Sequence, residues 1–170
     1  MPISGSRTLY ARRDAYPVAP MMTGTLVPGH VDDGEGAGLT VSAVTEVDGA
    51  VVDELVAFQG RLAVRYAWES RQARALLASQ LGISSLAWAA REASGRLTGF
   101  LMALNRGPMS WRVEEGQARL VTFMGDSRAL AAIARAAFEG GLKGIQFSLI
   151  PGDGATIESI RGLAAGPAMR

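Results

Sequence analysis

The sequence has no cysteine and one histidine, His30, in 170 residues. Disulfides and thiolate chemistry are excluded, and a lone histidine cannot build a histidine metal site, so no metal is expected. Neither charge is in excess: 17 basic side chains face 16 acidic ones, for a net charge of +1. That balance gives no electrostatic reason to expect nucleic acid or an anionic membrane as partner. No apolar run reaches the ~20 residues of a membrane-spanning helix. The opening stretch "MPISGSRTLYARRDAYPVAP" lacks the apolar core of a secretory signal. A cytoplasmic, soluble chain is the expectation. Aromatic residues are scarce, at 6%. Trp68, Trp88 and Trp111 read as core or loop anchors and not as a stacking platform, because no basic patch accompanies them.

What is present suffices for one domain of ordinary size, with 48% hydrophobic residues to fill a core. The composition changes near residue 38. Residues 1–38 mix Pro, Gly and Asp with scattered apolar side chains, and Gly34 to Gly38 resembles a flexible linker. The expectation is an extended arm over 1–38 and a folded domain over 39–170. The cluster His30, Asp32, Asp33 and Glu35 lacks the spacing of a calcium loop and reads as solvated linker.

The domain opens with a strand, "LTVSAVTEV", over 39–47. Asp48 then caps a helix whose apolar residues recur from Val51 to Val64 at helical spacing. Ser70 caps a second helix, with Leu76, Leu77 and Leu81 on one face and Gly82 as its stop. Leu86–Arg91 and Leu97–Leu104 are strand-like and joined by Ala93-Ser94-Gly95, which predicts a hairpin. A third strand, "ARLVTFM", runs into Gly125-Asp126-Ser127 and a helix from Arg128 to Glu139. "GIQFSLI" and a short C-terminal helix follow. The order is β-α-α-β-β-β-α-β-α. A helix between strands 119–124 and 144–150 predicts a right-handed parallel crossover, whereas the preceding strands should be antiparallel. The fold class is α/β (α+β): a mixed sheet with helices on both faces.

That order resembles the GCN5-related N-acetyltransferase (GNAT) superfamily. "LAWAAREASGRLTGFLMAL" is similar to its second and third strands, and "ALAAIARAAFEGGLKGIQFSLIPGDGATIESI" to its central helix, next strand and following helix. The resemblance covers roughly 39–166 and implies a divergent, C-terminally shortened member. It implies that acetyl-CoA or another acyl-CoA binds where the fourth and fifth strands of the family splay apart. The pantetheine would then lie along Val121, Thr122, Phe123 and Met124, and the pyrophosphate over Gly125, Asp126, Ser127, Arg128 and Ala129. Free N–H groups and the helix dipole favour an anion at such a turn. The activity implied is transfer of an acetyl or longer acyl group from the CoA thioester to an amine acceptor. Glu114 and Glu115, in the loop that leads into the third strand, are the candidate general bases, the alternative being a solvated turn. The family's usual loop has spaced glycines where this chain has only Gly125, and its usual tyrosine on the last helix is missing from Thr156 to Gly162.

Two other readings arise from the same residues. Without a closing hairpin, the strand 144–150 would be an open edge, and the domain would be a non-catalytic binding or assembly module that pairs with a second copy as a homo-oligomer. "VTFMGDSRAL" also looks like the first block of SGNH hydrolases, with Ser127 as nucleophile, although no histidine follows Ser127 to serve as its base. For Ser127 itself, or Asp126, the plainest role is a helix N-cap.

Overall fold

The computed structural model describes residues 22–32, 34–46, 48–62, 70–105, 115–149 and 154–164. Six strands and four helices follow one another along them. They are β1 (Met22–Leu26), β2 (Thr40–Ala43), α1 (Gly49–Arg61), α2 (Ser70–Ile83), β3 (Leu86–Arg91), β4 (Leu97–Leu104), β5 (Gln117–Gly125), α3 (Ser127–Glu139), β6 (Gly144–Leu149) and α4 (Gly154–Ala164). A short 3-10 turn, Pro28–His30, follows β1. None of these helices is long and apolar enough to cross a membrane.

The strands form one mixed sheet in the order β1-β6-β5-β4-β3-β2. Every neighbouring pair is antiparallel except β5 and β6, which are parallel across the α3 crossover. The hairpin β3–β4 turns at Ala93–Gly95, where Gly95 takes φ +82°. Each face of the sheet carries a core. On one, Val52, Leu55 and Phe58 of α1 and Leu77 and Leu81 of α2 pack on Ala87, Phe100 and Met102. On the other, α3 and α4 pack on Leu101, Ala103, Phe123, Ile145 and Phe147. Periodicity produced this arrangement: the apolar helical positions lie three and four residues apart, and strand positions alternate between the two cores.

Three expectations are corrected. The first strand is shorter than 39–47: it spans Thr40–Ala43, the Val44 N–H makes one further bond to the Ala87 carbonyl, and Asp48, whose carboxylate accepts the Val51 N–H, then starts α1. Gly82 does not end α2, which continues to Ile83. The larger difference concerns the segment expected as an arm. Met22–Leu26 is a strand, paired with Ile145–Leu149 of β6, and Leu26 is 3% exposed in the core. The edge of β6 is therefore covered by the chain itself, and the argument for self-association through that edge loses its premise.

Gly34 to Gly38 are not a free linker either. Arg135 of α3 donates to the carbonyls of Asp32 and Glu35, and Arg128 donates to the carbonyl of Ala37 at 2.7 Å. Gly36, at φ +78°, lies on Ala132 so closely that a Cβ would sit 2.8 Å from the Ala132 backbone nitrogen. This segment explains why α3 is buried on more than one side. Ala129 through Ala134 are all buried, which is more than the one face an amphipathic helix covers. Replacing Gly36 by alanine is expected to cost about 2–3 kcal/mol in urea unfolding, since both the positive φ and the contact oppose a side chain. A change within about 0.5 kcal/mol, the ordinary range for a surface substitution, would mean that the segment does not bear on α3.

Candidate active site

The site begins where two parallel strands part. β5 and β6 pair only over Gln117–Arg119 and Gly144–Gln146. Beyond that, β5 follows β4 as far as Gly125, while β6 follows β1 as far as Leu149. A register shift deepens the parting: Met102 opposes Thr122 but Ala103 opposes Leu120, which leaves Val121 as a bulge. A bulge bends its strand and increases its twist, here next to the gap.

The strand ends at Gly125, whose φ of +143° no side chain tolerates well and whose Cβ would strike Gly99 and Thr98 of β4. The chain then turns straight into α3. Asp126 is its N-cap, accepting the Ala129 N–H at 2.8 Å. Of the two candidate caps, the aspartate takes the role, and Ser127 is the first helical residue. His30 accepts the Val27 N–H through Nδ1 at 3.4 Å, and no hydrogen bond links it to Ser127 among the described residues. The serine-nucleophile reading gains no base from this geometry.

Beside the α3 N-terminus lies a cavity of about 240 Å³, lined by Arg61, Arg96 and Arg128 together with Glu92, Asp126 and Thr98. The three guanidiniums come from α1, the β3–β4 hairpin and α3. Arg96 pairs with Glu92 at 2.7 Å, and this hydrogen bond holds the Glu92 carboxyl below its ordinary range, with the charges of Arg96 and Arg128 adding to the effect. Glu54 on α1 is held down in the same way by Arg91, through two contacts of 2.5 and 2.7 Å. Arg61 stacks over the Phe58 ring, 5.6 Å from its centre. Over the cavity lining, three arginines face two carboxylates, and one of the arginines, Arg96, is paired with Glu92.

The other wall of the gap is α4. The Thr156 hydroxyl donates to the carbonyl of Phe123 at 3.3 Å, and the Ser159 hydroxyl donates to the carbonyl of Gly125 at 3.4 Å. Both acceptors lie beyond the last β5–β6 pair. Ile160 and Leu163 anchor the helix in the core below.

The structure thus brings Val121 to Ala129 together along one strand end and one helix start. Of the two glutamates, Glu115 sits in the exposed turn before β5, at the end where β5 and β6 are still paired, and Glu114 lies outside the described residues. Sequence reasoning missed Arg61 and Arg96 as neighbours of Arg128, and Thr156 and Ser159 as partners of β5. No metal-binding group of side chains occurs among the described residues.

No protein-family model matches the chain. No curated protein sequence matches it either. Solved structures do. A functionally unknown conserved protein from Staphylococcus epidermidis is similar over 90% of this chain and 60% of its own, at 9% identity and a TM-score of 0.52. A GNAT-family acetyltransferase from Staphylococcus aureus Mu50 is similar over 69% of this chain and 78% of its own, at 12% identity and a TM-score of 0.41. A GCN5-related N-acetyltransferase from Sphaerobacter thermophilus is similar over 85% of this chain, at 12% identity and a TM-score of 0.48, and there this chain spans 46% of the other protein. The chain spans less than two thirds of the Staphylococcus epidermidis and Sphaerobacter proteins. The element order and the parallel β5–β6 pair give the mixed sheet, with helices on both faces, that the GNAT-like order of the sequence implied.

Proposed function

We propose that the chain transfers an acyl group from an acyl-CoA to an amine, with the parting of β5 and β6 as the carrier site. The observation that carries this reading is the short parallel pairing of the two strands, Gln117–Arg119 with Gly144–Gln146, which leaves the bulged end of β5 without a strand neighbour on that side among the described residues. The residues around it fit the phosphate end of such a substrate. Arg128, with Arg96 and Arg61, supplies cations beside a helix N-terminus, and these suit a pyrophosphate. The arm of the carrier would run along Val121–Met124 and would offer its thioester to the bulge. There the amine nitrogen would attack the acyl carbon, the new C–N bond would form, and the C–S bond would break. The thiol would leave and the amine would lose a proton. Backbone N–H groups of the 121–125 stretch would stabilise the oxygen as charge develops on it. Glu115 is too far along the strand to be favoured as the base over solvent.

A specific observation supports a second reading. The hydroxyls of α4 already satisfy two carbonyls in the gap, and a permanently filled gap would make the domain a non-catalytic binding module. Titration calorimetry with acetyl-CoA separates the two. Binding at micromolar to millimolar affinity supports the carrier site, and no heat at millimolar acetyl-CoA would overturn it in favour of the module.

A further inference from the structure

We infer that α4 is a latch over the carrier slot: the hydroxyls of Thr156 and Ser159 take, on the carbonyls of Phe123 and Gly125, the positions that the amide N–H groups of a pantetheine-type arm would use. The inference rests on the acyl-carrier reading above and adds how access to that site is controlled.

Thr156 and Ser159 are 8% and 5% exposed, among the few buried polar residues of the described chain. Three residues apart on a helix, they share one face, and that face is turned to β5. Their acceptors are two residues apart on the strand, so the carbonyls are separated by about 7 Å along it. A buried carbonyl without a donor is costly. An empty slot in this fold therefore needs donors of its own, and α4 supplies two. Both contacts, at 3.3 and 3.4 Å, are at the long end of hydrogen-bond geometry, so exchanging a hydroxyl for a ligand amide loses little. The helix is held independently of them. Ile160 and Leu163, 4% and 2% exposed, are seated in the core that α3 lines. Ile157, in the first turn, is only partly buried against that core, so on opening the first turn would move away from β5 while Ile160 and Leu163 stay seated. Opening then transfers two acceptors from the helix to the carrier, and the number of satisfied carbonyls is unchanged.

The test compares the unaltered chain with Thr156→Val and Ser159→Ala, using coenzyme A as the probe. Calorimetry reads affinity, and hydrogen exchange read by mass spectrometry reports on the amides of 154–160. In the unaltered chain, saturating coenzyme A is expected to accelerate exchange over 154–160 while protecting 121–129. The variants are expected to bind about 5-fold more tightly per hydroxyl removed, because the closed state alone loses a hydrogen bond. Exchange over 154–160 that is unchanged or slower on binding overturns the latch, and so does a variant affinity equal to that of the unaltered chain. No binding by any of the proteins overturns the carrier reading, and the latch with it. The exchange arm uses the unaltered chain and stands whatever the substitutions do to folding.

Discussion

A chain shortened to begin at Gly38 is expected not to fold as a stable monomer. Three groups of contacts disappear together. The β6 strand loses its antiparallel partner over Ile145–Leu149, so a row of backbone N–H and C=O groups becomes an open edge. The core loses Leu26, whose truncation to alanine alone is expected to cost about 3 kcal/mol. Helix α3 loses the carbonyls that hold Arg128 and Arg135, together with the cover on Ala132. Domains of this size are stable by about 5–15 kcal/mol in total, so the combined loss takes most of that margin. The expected result in sedimentation and circular dichroism is aggregation, or a remainder with a strongly lowered unfolding midpoint. A monomer of full helical content, with slow exchange over 144–149, would show that residues before Gly38 are dispensable to the domain.

The second large effect concerns Arg128. Reversing its charge with Arg128→Glu is expected to weaken coenzyme A binding by about 100-fold, and Arg128→Gln by about 10-fold, from the loss of charge-assisted hydrogen bonds to phosphate. Reversal is the worse of the two because Asp126 already puts one carboxylate at the start of α3, and a second would then stand beside it, facing the incoming phosphates. Both variants lose the bond to the Ala37 carbonyl. A purely structural role would therefore weaken binding equally in the two. A graded loss that follows charge, and that shrinks at high salt, marks the phosphate contact. Equal affinities for all three proteins would remove Arg128 from the site.

The sequence made some of this legible and hid the rest, for physical reasons. Local signals survived well. The hairpin Leu86–Leu104 is two apolar runs around a glycine turn, and Gly125-Asp126 ends a strand and caps a helix through contacts no more than a few residues away. What was hidden depends on residues distant in the chain. Gly24 looks like a linker residue, yet it is the one residue type that fits under the ring of Phe147, where a Cβ would sit 2.7 Å from the ring. That made β1 read as part of an arm. Arg135 looks like an ordinary surface charge until the carbonyls of Asp32 and Glu35 are placed on it. The bulge at Val121 exists only relative to the register of β4. Thr156 and Ser159 read as polar helix positions, and their meaning depends on which strand the helix covers.

The carrier site is tested most directly by amide chemical shifts. A nitrogen–proton correlation spectrum of the labelled chain, titrated with coenzyme A, reads the backbone of the gap residue by residue. Saturable shifts are expected, concentrated in Val121–Ala129 and in the first turns of α4, with β2 and α2 unmoved. A spectrum unchanged at millimolar coenzyme A, or shifts confined to residues away from the parting of β5 and β6, would contradict it.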